Sequence, residues 1–250
     1  MYQLILGLWM LCSVSAFAKT SPLSNDQEGE GIVTRTVVSH QKWDDLLQKH
    51  VTKDGKVDYR GFQQDMARLN AYLDMLSRHT PEKSWGRNEK MAYWINAYNA
   101  FTVKLILDNY PLKSIRDLDN GSVWDRKWIE LGHQTYSLNE IEHDILRKRY
   151  PDPRIHFAVN CAAASCPPLL NHAYTAQKLD AQLERQTKAF ITDNIYNKLE
   201  RQEVIVSKIF EWYSEDFGAL IPFLQQYAEI SISRKASVAY REYDWSLNEQ

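Results

Sequence analysis

Residues 88–109, NEKMAYWINAYNAFTVKLILDN, decide the architecture. Asn88 reads as the N-cap and Glu89 sits in the first turn. Met91, Trp94, Ile95, Tyr98, Phe101, Thr102, Leu105 and Ile106 then recur at helical spacing until Asn109-Tyr110-Pro111 ends the run. Ala92, Ala100, Val103 and Leu107 fill the other side, so this helix is apolar nearly all round and belongs at the centre of the fold. Asn96 and Asn99 are set into that surface one turn apart. A buried amide left unpaired costs roughly 1–3 kcal/mol, so both need dedicated partners. They serve either as a network that fixes the helix or as groups that orient an imidazole or donate to an oxyanion.

Upstream, Trp43, Leu46 and Leu47 have helical spacing, and Asp54-Gly55 between short apolar flanks is a tight-turn signal. An EF-hand reading of that turn fails, because it would put His50, Thr52 and Gly61 where carboxylate ligands belong. Phe62, Met66, Leu69, Leu73 and Leu76 predict one amphipathic helix ending near Thr80-Pro81. Downstream, Ser137-Leu138-Asn139-Glu140 is a capping box that opens a helix with the stripe Leu138, Ile141, Ile145, Leu146. At about 100° per residue Glu142 projects into that stripe and His143 lies at its edge. Arg154 to Cys161 is a short, β-branched and aromatic run bounded by prolines, and reads as a strand. Helices are expected over Leu179–Phe190 and Phe217–Tyr227, and strands over Glu203–Val206 and from Ser231 to Tyr240.

Residues 1–18 carry no charged side chain. Leu4 to Leu11 is an apolar run too short to span a bilayer, and Ala16-Phe17-Ala18 supplies a small-x-small cleavage pattern. This reads as a signal peptide, followed by a loose lead-in over 19–40 and a single domain over 41–250. The expected location is therefore periplasmic or secreted, with no transmembrane anchor in the mature chain. A lipoprotein reading through Cys12 is weaker, since Leu11 stands where a small residue is needed. The charge balance of 30 Lys+Arg against 32 Asp+Glu supplies no basic field for nucleic acid. With 44% hydrophobic and 25% charged residues the chain is globular, and 8 Trp and 14 Tyr against 9 Gly point to an aromatic-rich core. No Walker A, Rossmann, G-x-S-x-G or H-E-x-x-H motif is present.

The sequence resembles the family known as domain of unknown function 547. The blocks that carry the likeness are Trp94-Ile95-Asn96-Ala97-Tyr98-Asn99-Ala100, Ser137 to Arg147, Ile155 to Cys161, and Ser165-Cys166-Pro167-Pro168-Leu169. Ile209 to Tyr213 with Asp216-Phe217, and Tyr243 to Asn248, match as well, so the likeness runs from Trp43 to Asn248. It implies a secreted or periplasmic α+β protein and assigns no activity.

A thiolate nucleophile needs a base within reach and a group that orients the base. Cys161, His143, Glu142, Asn96 and Asn99 supply those parts. His156 is a less convenient partner for Cys161, because five residues apart on a regular strand they face opposite ways. Cys161 stands open between three roles: nucleophile, disulfide partner of Cys166, or inert core thiol. Trp212, Tyr213, Tyr243 and Trp245 suit a glycan or peptide groove, although most such clusters are core. Two sulfurs without histidines at ligand spacing make no zinc site, so neither metal nor cofactor is expected. The expected fold is α+β, a helical first half packed on a small, mainly antiparallel sheet, with a papain- or transglutaminase-like layout as its analogy. The expected function is a thiol-dependent hydrolase or acyltransferase on peptide or amide bonds. The alternative is a non-catalytic binding or scaffold domain of the cell envelope, with a peptide, glycan or protein as partner.

Overall fold

The computed structural model describes residues 38–250, so the expected signal peptide and nearly all of the lead-in lie outside the described residues. The order begins with α1 (Gln41–His50), α2 (Tyr59–Gln64), α3 (Met66–Arg78) and α4 (Arg87–Asp108). Between α1 and α2 the Asp54-Gly55 turn forms as expected: Gly55 has φ +80°, and Val51 pairs with Val57. The predicted helix over 62–76 is broken at Asp65, whose carboxylate takes Nε2–H of His50 at 2.7 Å and Lys49 Nζ at 2.6 Å. Its backbone, at φ −100° and ψ 17°, leaves helical geometry, and the chain restarts at Met66.

Helix α4 is the central element. Its sixteen buried residues span the whole circumference, as an all-round apolar pattern requires. Its N-cap is Gly86 and not Asn88, because Glu89 Oε2 reaches back to the Gly86 N–H at 2.6 Å. The helix packs on α2 and α3 and against a hairpin, β1 (Ile129–Leu131) and β2 (Gln134–Tyr136), through the ring pairs Trp94–Tyr136 and Phe101–Trp128. Next comes a π-helix at Glu140–Arg147, opened by the expected capping box: Ser137 Oγ accepts Glu140 N–H at 3.1 Å, and Glu140 Oε2 accepts Ser137 N–H at 2.9 Å.

The strand expected over Arg154–Cys161 does not form. Residues Pro153–Phe157 are a 3-10 helix, with Pro153 in its first turn and Asp152 Oδ1 capping Arg154 N–H at 3.0 Å. Proline's fixed φ and the preceding Asp start a helical turn, and this outweighs the β-branched composition. Helix α5 (Leu179–Thr192) follows. A second sheet then orders as β3 (Lys198–Leu199), β4 (Glu203–Val206) and β5 (Ser237–Tyr240), with β3–β4 antiparallel and β4–β5 parallel. Between its strands lie α6 (Ile209–Trp212), α7 (Ser214–Phe217) and α8 (Leu220–Gln225). The helix expected over 217–227 is interrupted at Gly218, which has φ +61°.

Two apolar clusters form. One surrounds α4; the other is aromatic and joins Phe157, Phe190, Phe210, Phe217 and Phe223 beneath the second sheet. This is an α+β fold. The segment 243–249 stitches the loops together. Ala164 N–H and Ser165 N–H donate to the carbonyls of Ser246 and Asp244, Asn248 N–H donates to Ala162 O, and Val57 N–H donates to Asn248 O. That segment carries Tyr243 and Trp245 to the seam between the two clusters.

Candidate functional site

The seam holds a cleft of about 170 Å³, lined by Glu142, His156, Cys161 and Cys166 together with Tyr98, Trp124, Trp212, Tyr213, Tyr243 and Trp245. The structure therefore brings Glu142, His156 and Cys161 together and leaves the other three candidates off this wall.

Asn99 donates from Nδ2 to Ala158 O at 2.9 Å and accepts Asn160 N–H on Oδ1 at 2.9 Å. Asn96 does the same to a single residue, donating to Tyr174 O at 2.8 Å and accepting Tyr174 N–H at 3.0 Å. Both amides are spent clamping main chain to α4. His143 accepts a hydrogen bond on Nδ1 from Arg147 Nη1 at 2.9 Å and stacks on the ring of Tyr213, centroids 6.1 Å apart.

His156 is 3% exposed and stacks on Tyr213 with centroids 4.0 Å apart. It donates from Nε2 to Asp216 Oδ2 at 2.6 Å. Asp216, on α7, also takes a forked pair from Arg147, Nε at 2.6 Å and Nη2 at 2.9 Å. The hydrogen bond from His156, then those from Arg147, hold this carboxyl well below the usual carboxylate range against the opposing effect of burial. With Nε2–H committed to Asp216, a neutral ring presents its lone pair at Nδ1, and that atom is buried without a hydrogen-bond partner among the described residues.

Glu142 is 5% exposed, in agreement with its place in the apolar stripe. Neither Arg147 nor Arg154 pairs with it. Arg147 is taken by Asp216, and Arg154 by Asp152, Asp180 and Glu184. Instead the Tyr213 hydroxyl donates to Glu142 Oε1 at 2.7 Å, and Tyr98 lines the same cleft. Burial first, and the Glu142 charge second, push both phenols well above the ordinary tyrosine value, so they remain donors.

Cys161 and Cys166 form a disulfide, Cα atoms 6.2 Å apart. Cys161 Sγ lies 3.3 Å from the Tyr243 hydroxyl, and Cys161 N–H donates to Cys166 Sγ at 2.9 Å. Asn160 shapes this loop: it donates from Nδ2 to Pro167 O at 2.8 Å and accepts Ala162 N–H at 2.9 Å. Ala162 is held at φ +63°, a left-handed conformation that costs a residue with a side chain roughly 1–2 kcal/mol. On the other side of the loop Gly55 approaches so closely that a Cβ there would lie 2.5 Å from Pro168 Cβ.

Residues 82–191 match the family model described as Protein of unknown function, DUF547. This segment belongs to the DUF547 family. It contains α4, the π-helix, His156 and both cysteines, so the DUF547 segment supplies one wall of the cleft. Tyr213, Asp216, Tyr243 and Trp245 come from outside it. No curated protein and no solved structure matches the chain. Among the described residues no group of three or more His, Cys, Asp or Glu is placed to hold a metal, and no helix is long and apolar enough to cross a membrane.

Sequence reasoning missed Asp216, Arg147 as its partner, Asn160 and Trp124. Asp216 lies 60 residues from His156, and nothing in local spacing announces the pair.

Proposed function

We propose that this protein is a periplasmic or secreted thiol-dependent hydrolase or acyltransferase acting on a peptide or amide bond, in which Cys161 is the nucleophile and His156 its base. The observation that carries this reading is the partnerless Nδ1 of a buried histidine, fixed through Nε2 by Asp216, on the wall of the cleft that also holds Cys161.

The disulfide is then the resting form. A dithiol reductant supplies two electrons and two protons: its own thiols become a disulfide while Cys161 and Cys166 become thiols. The Cys161 proton passes to His156 Nδ1, and the thiolate, next to the Tyr243 hydroxyl, attacks the substrate carbonyl. The C–N bond breaks and the amine leaves with the proton from His156. Water or an acceptor amine then attacks the thioester, giving a proton to His156 as the C–S bond breaks, and that proton returns to Cys161. Asp216 fixes the ring tautomer and stabilises the imidazolium, and Arg147 keeps Asp216 ionised. Glu142 anchors the hydroxyl of Tyr213, whose ring stacks on His156.

A second reading, a non-catalytic binding domain for an envelope peptide, glycan or protein, is favoured by the closed disulfide and the aromatic wall. Alkylation by iodoacetamide from pH 5 to 9, with and without prior reduction and read at each cysteine by mass spectrometry, separates the two. After reduction, the native protein is expected to label at Cys161 below pH 7, and His156→Gln to move that onset upward. Labelling only after unfolding would remove the nucleophile and leave the binding domain.

A further inference from the structure

We infer that the cleft selects one flat aromatic group of benzene size, so that the substrates are amides or peptides bearing an aromatic side chain beside the reacting carbonyl. The substrate assignment rests on the function proposed above; the binding assignment stands without it. Three observations carry it.

The first is size. The cleft measures about 170 Å³, close to the roughly 150 Å³ apolar cavity that accommodates benzene. Its volume matches a single ring. The second is the wall. Trp212, 47% exposed, lies 4.8 Å from the Tyr243 ring and 5.8 Å from that of Trp245, and Trp124 contacts Trp245 at 5.8 Å. Large aromatic side chains left open to solvent at the mouth of a cleft offer edges and faces to an incoming ring.

The third is the polar inventory, which favours an aromatic group over a sugar. Glu142 Oε1 is engaged by Tyr213, His156 Nε2 by Asp216, the Tyr243 hydroxyl by Cys161 Sγ, and Asn139 Nδ2 by Asp125. Among the described residues, the fully buried side-chain atom on this wall without a partner is His156 Nδ1, and the tryptophans at the mouth add only their indole N–H edges. A sugar ring brings several hydroxyls, and each one buried unpaired weakens binding by roughly tenfold or more. Stacking on an aromatic wall returns only roughly two- to tenfold. An aromatic group carries no such penalty.

The test uses the full chain with its disulfide intact, so that it reads binding and not turnover. Ligand-observed NMR titrations are run with N-acetylphenylalaninamide, N-acetylglycinamide and N-acetylglucosamine. The phenylalanine amide is expected to bind saturably and at least tenfold more tightly than the other two. Trp212→Ala, checked for an unchanged far-ultraviolet circular dichroism spectrum, is expected to weaken it at least fivefold, and Trp212→Phe to restore most of that. Preference for the sugar, equal binding of the glycine amide, or no effect of Trp212→Ala would overturn the inference. Aromatic binding without turnover after reduction would sink the hydrolase and leave this site standing. Turnover of non-aromatic amides by a protein that binds no aromatic probe would do the reverse.

Discussion

Asn99 is the residue whose replacement tests the architecture of the site most directly. Its amide joins Ala158 O and Asn160 N–H, two buried main-chain groups just before Cys161, at 2.9 Å each. Asn99→Ala leaves both without a partner in a region closed to water. At roughly 1–3 kcal/mol for each orphaned group, the loss should be about 4 kcal/mol. That is a large share of the roughly 5–15 kcal/mol that separates a folded domain from its unfolded chain. With a urea slope of about 2.5 kcal/mol/M, the unfolding midpoint should fall by about 1.5 M, followed by tryptophan fluorescence at pH 7 under non-reducing conditions. Asn96→Ala removes the equivalent clamp on Tyr174 and should behave alike. A catalytic amide would give the opposite pattern, with stability kept and thiol chemistry lost. A shift below about 0.4 M in Asn99→Ala would refute the clamp argument.

Asp216 has its folded-state pKa depressed, so the unfolded chain binds the proton first. Its stabilisation is complete above about pH 4 and is lost as pH falls toward its folded value; Asp216→Asn should flatten the acid limb of stability against pH below about pH 4. Gly55→Ala combines a left-handed φ with a Cβ set 2.5 Å from Pro168 Cβ, and should cost about 2–4 kcal/mol, seen as a fall of about 5–15 °C in Tm by calorimetry. Reduction opens a bridge between residues only five apart in sequence, so loop entropy loses about 2 kcal/mol. The reduced chain should keep its far-ultraviolet circular dichroism at 25 °C, and wholesale unfolding would mark the bridge as structural.

The local signals that the sequence carried were those with a strong short-range cause. The all-round apolar run of α4, the Asp54-Gly55 turn and the Ser137–Glu140 capping box all form where the residues dictate. The burial of Glu142 also followed from its place in the stripe. Failure came where two local preferences competed. Residues 154–161 have strand composition, yet Asp152-Pro153 starts a 3-10 turn, which removes the alternation that had put His156 and Cys161 on opposite faces. The site itself was half legible. Its cysteines, His156 and Glu142 stood out by type. The pairing of His156 with Asp216, and of Glu142 with Tyr213 in place of an arginine, depends on contacts across 60 and 71 residues, which no periodicity encodes.

The π-helix at 140–147 has a consequence of its own. Its wide turn lets Glu142 and Arg147, five residues apart, grip the two ends of one ring: Glu142 holds the hydroxyl of Tyr213, and the Arg147 guanidinium lies 5.1 Å over its face. In an ordinary α-helix, at about 100° per residue, positions five apart diverge by about 140°. Removing a single residue from this stretch would relax it to the commoner helix and turn one grip away, even with every side chain around the cleft retained. The geometry is thus stored in the number of residues in one turn as much as in their identity, and a shortened relative would be a different machine under the same motif.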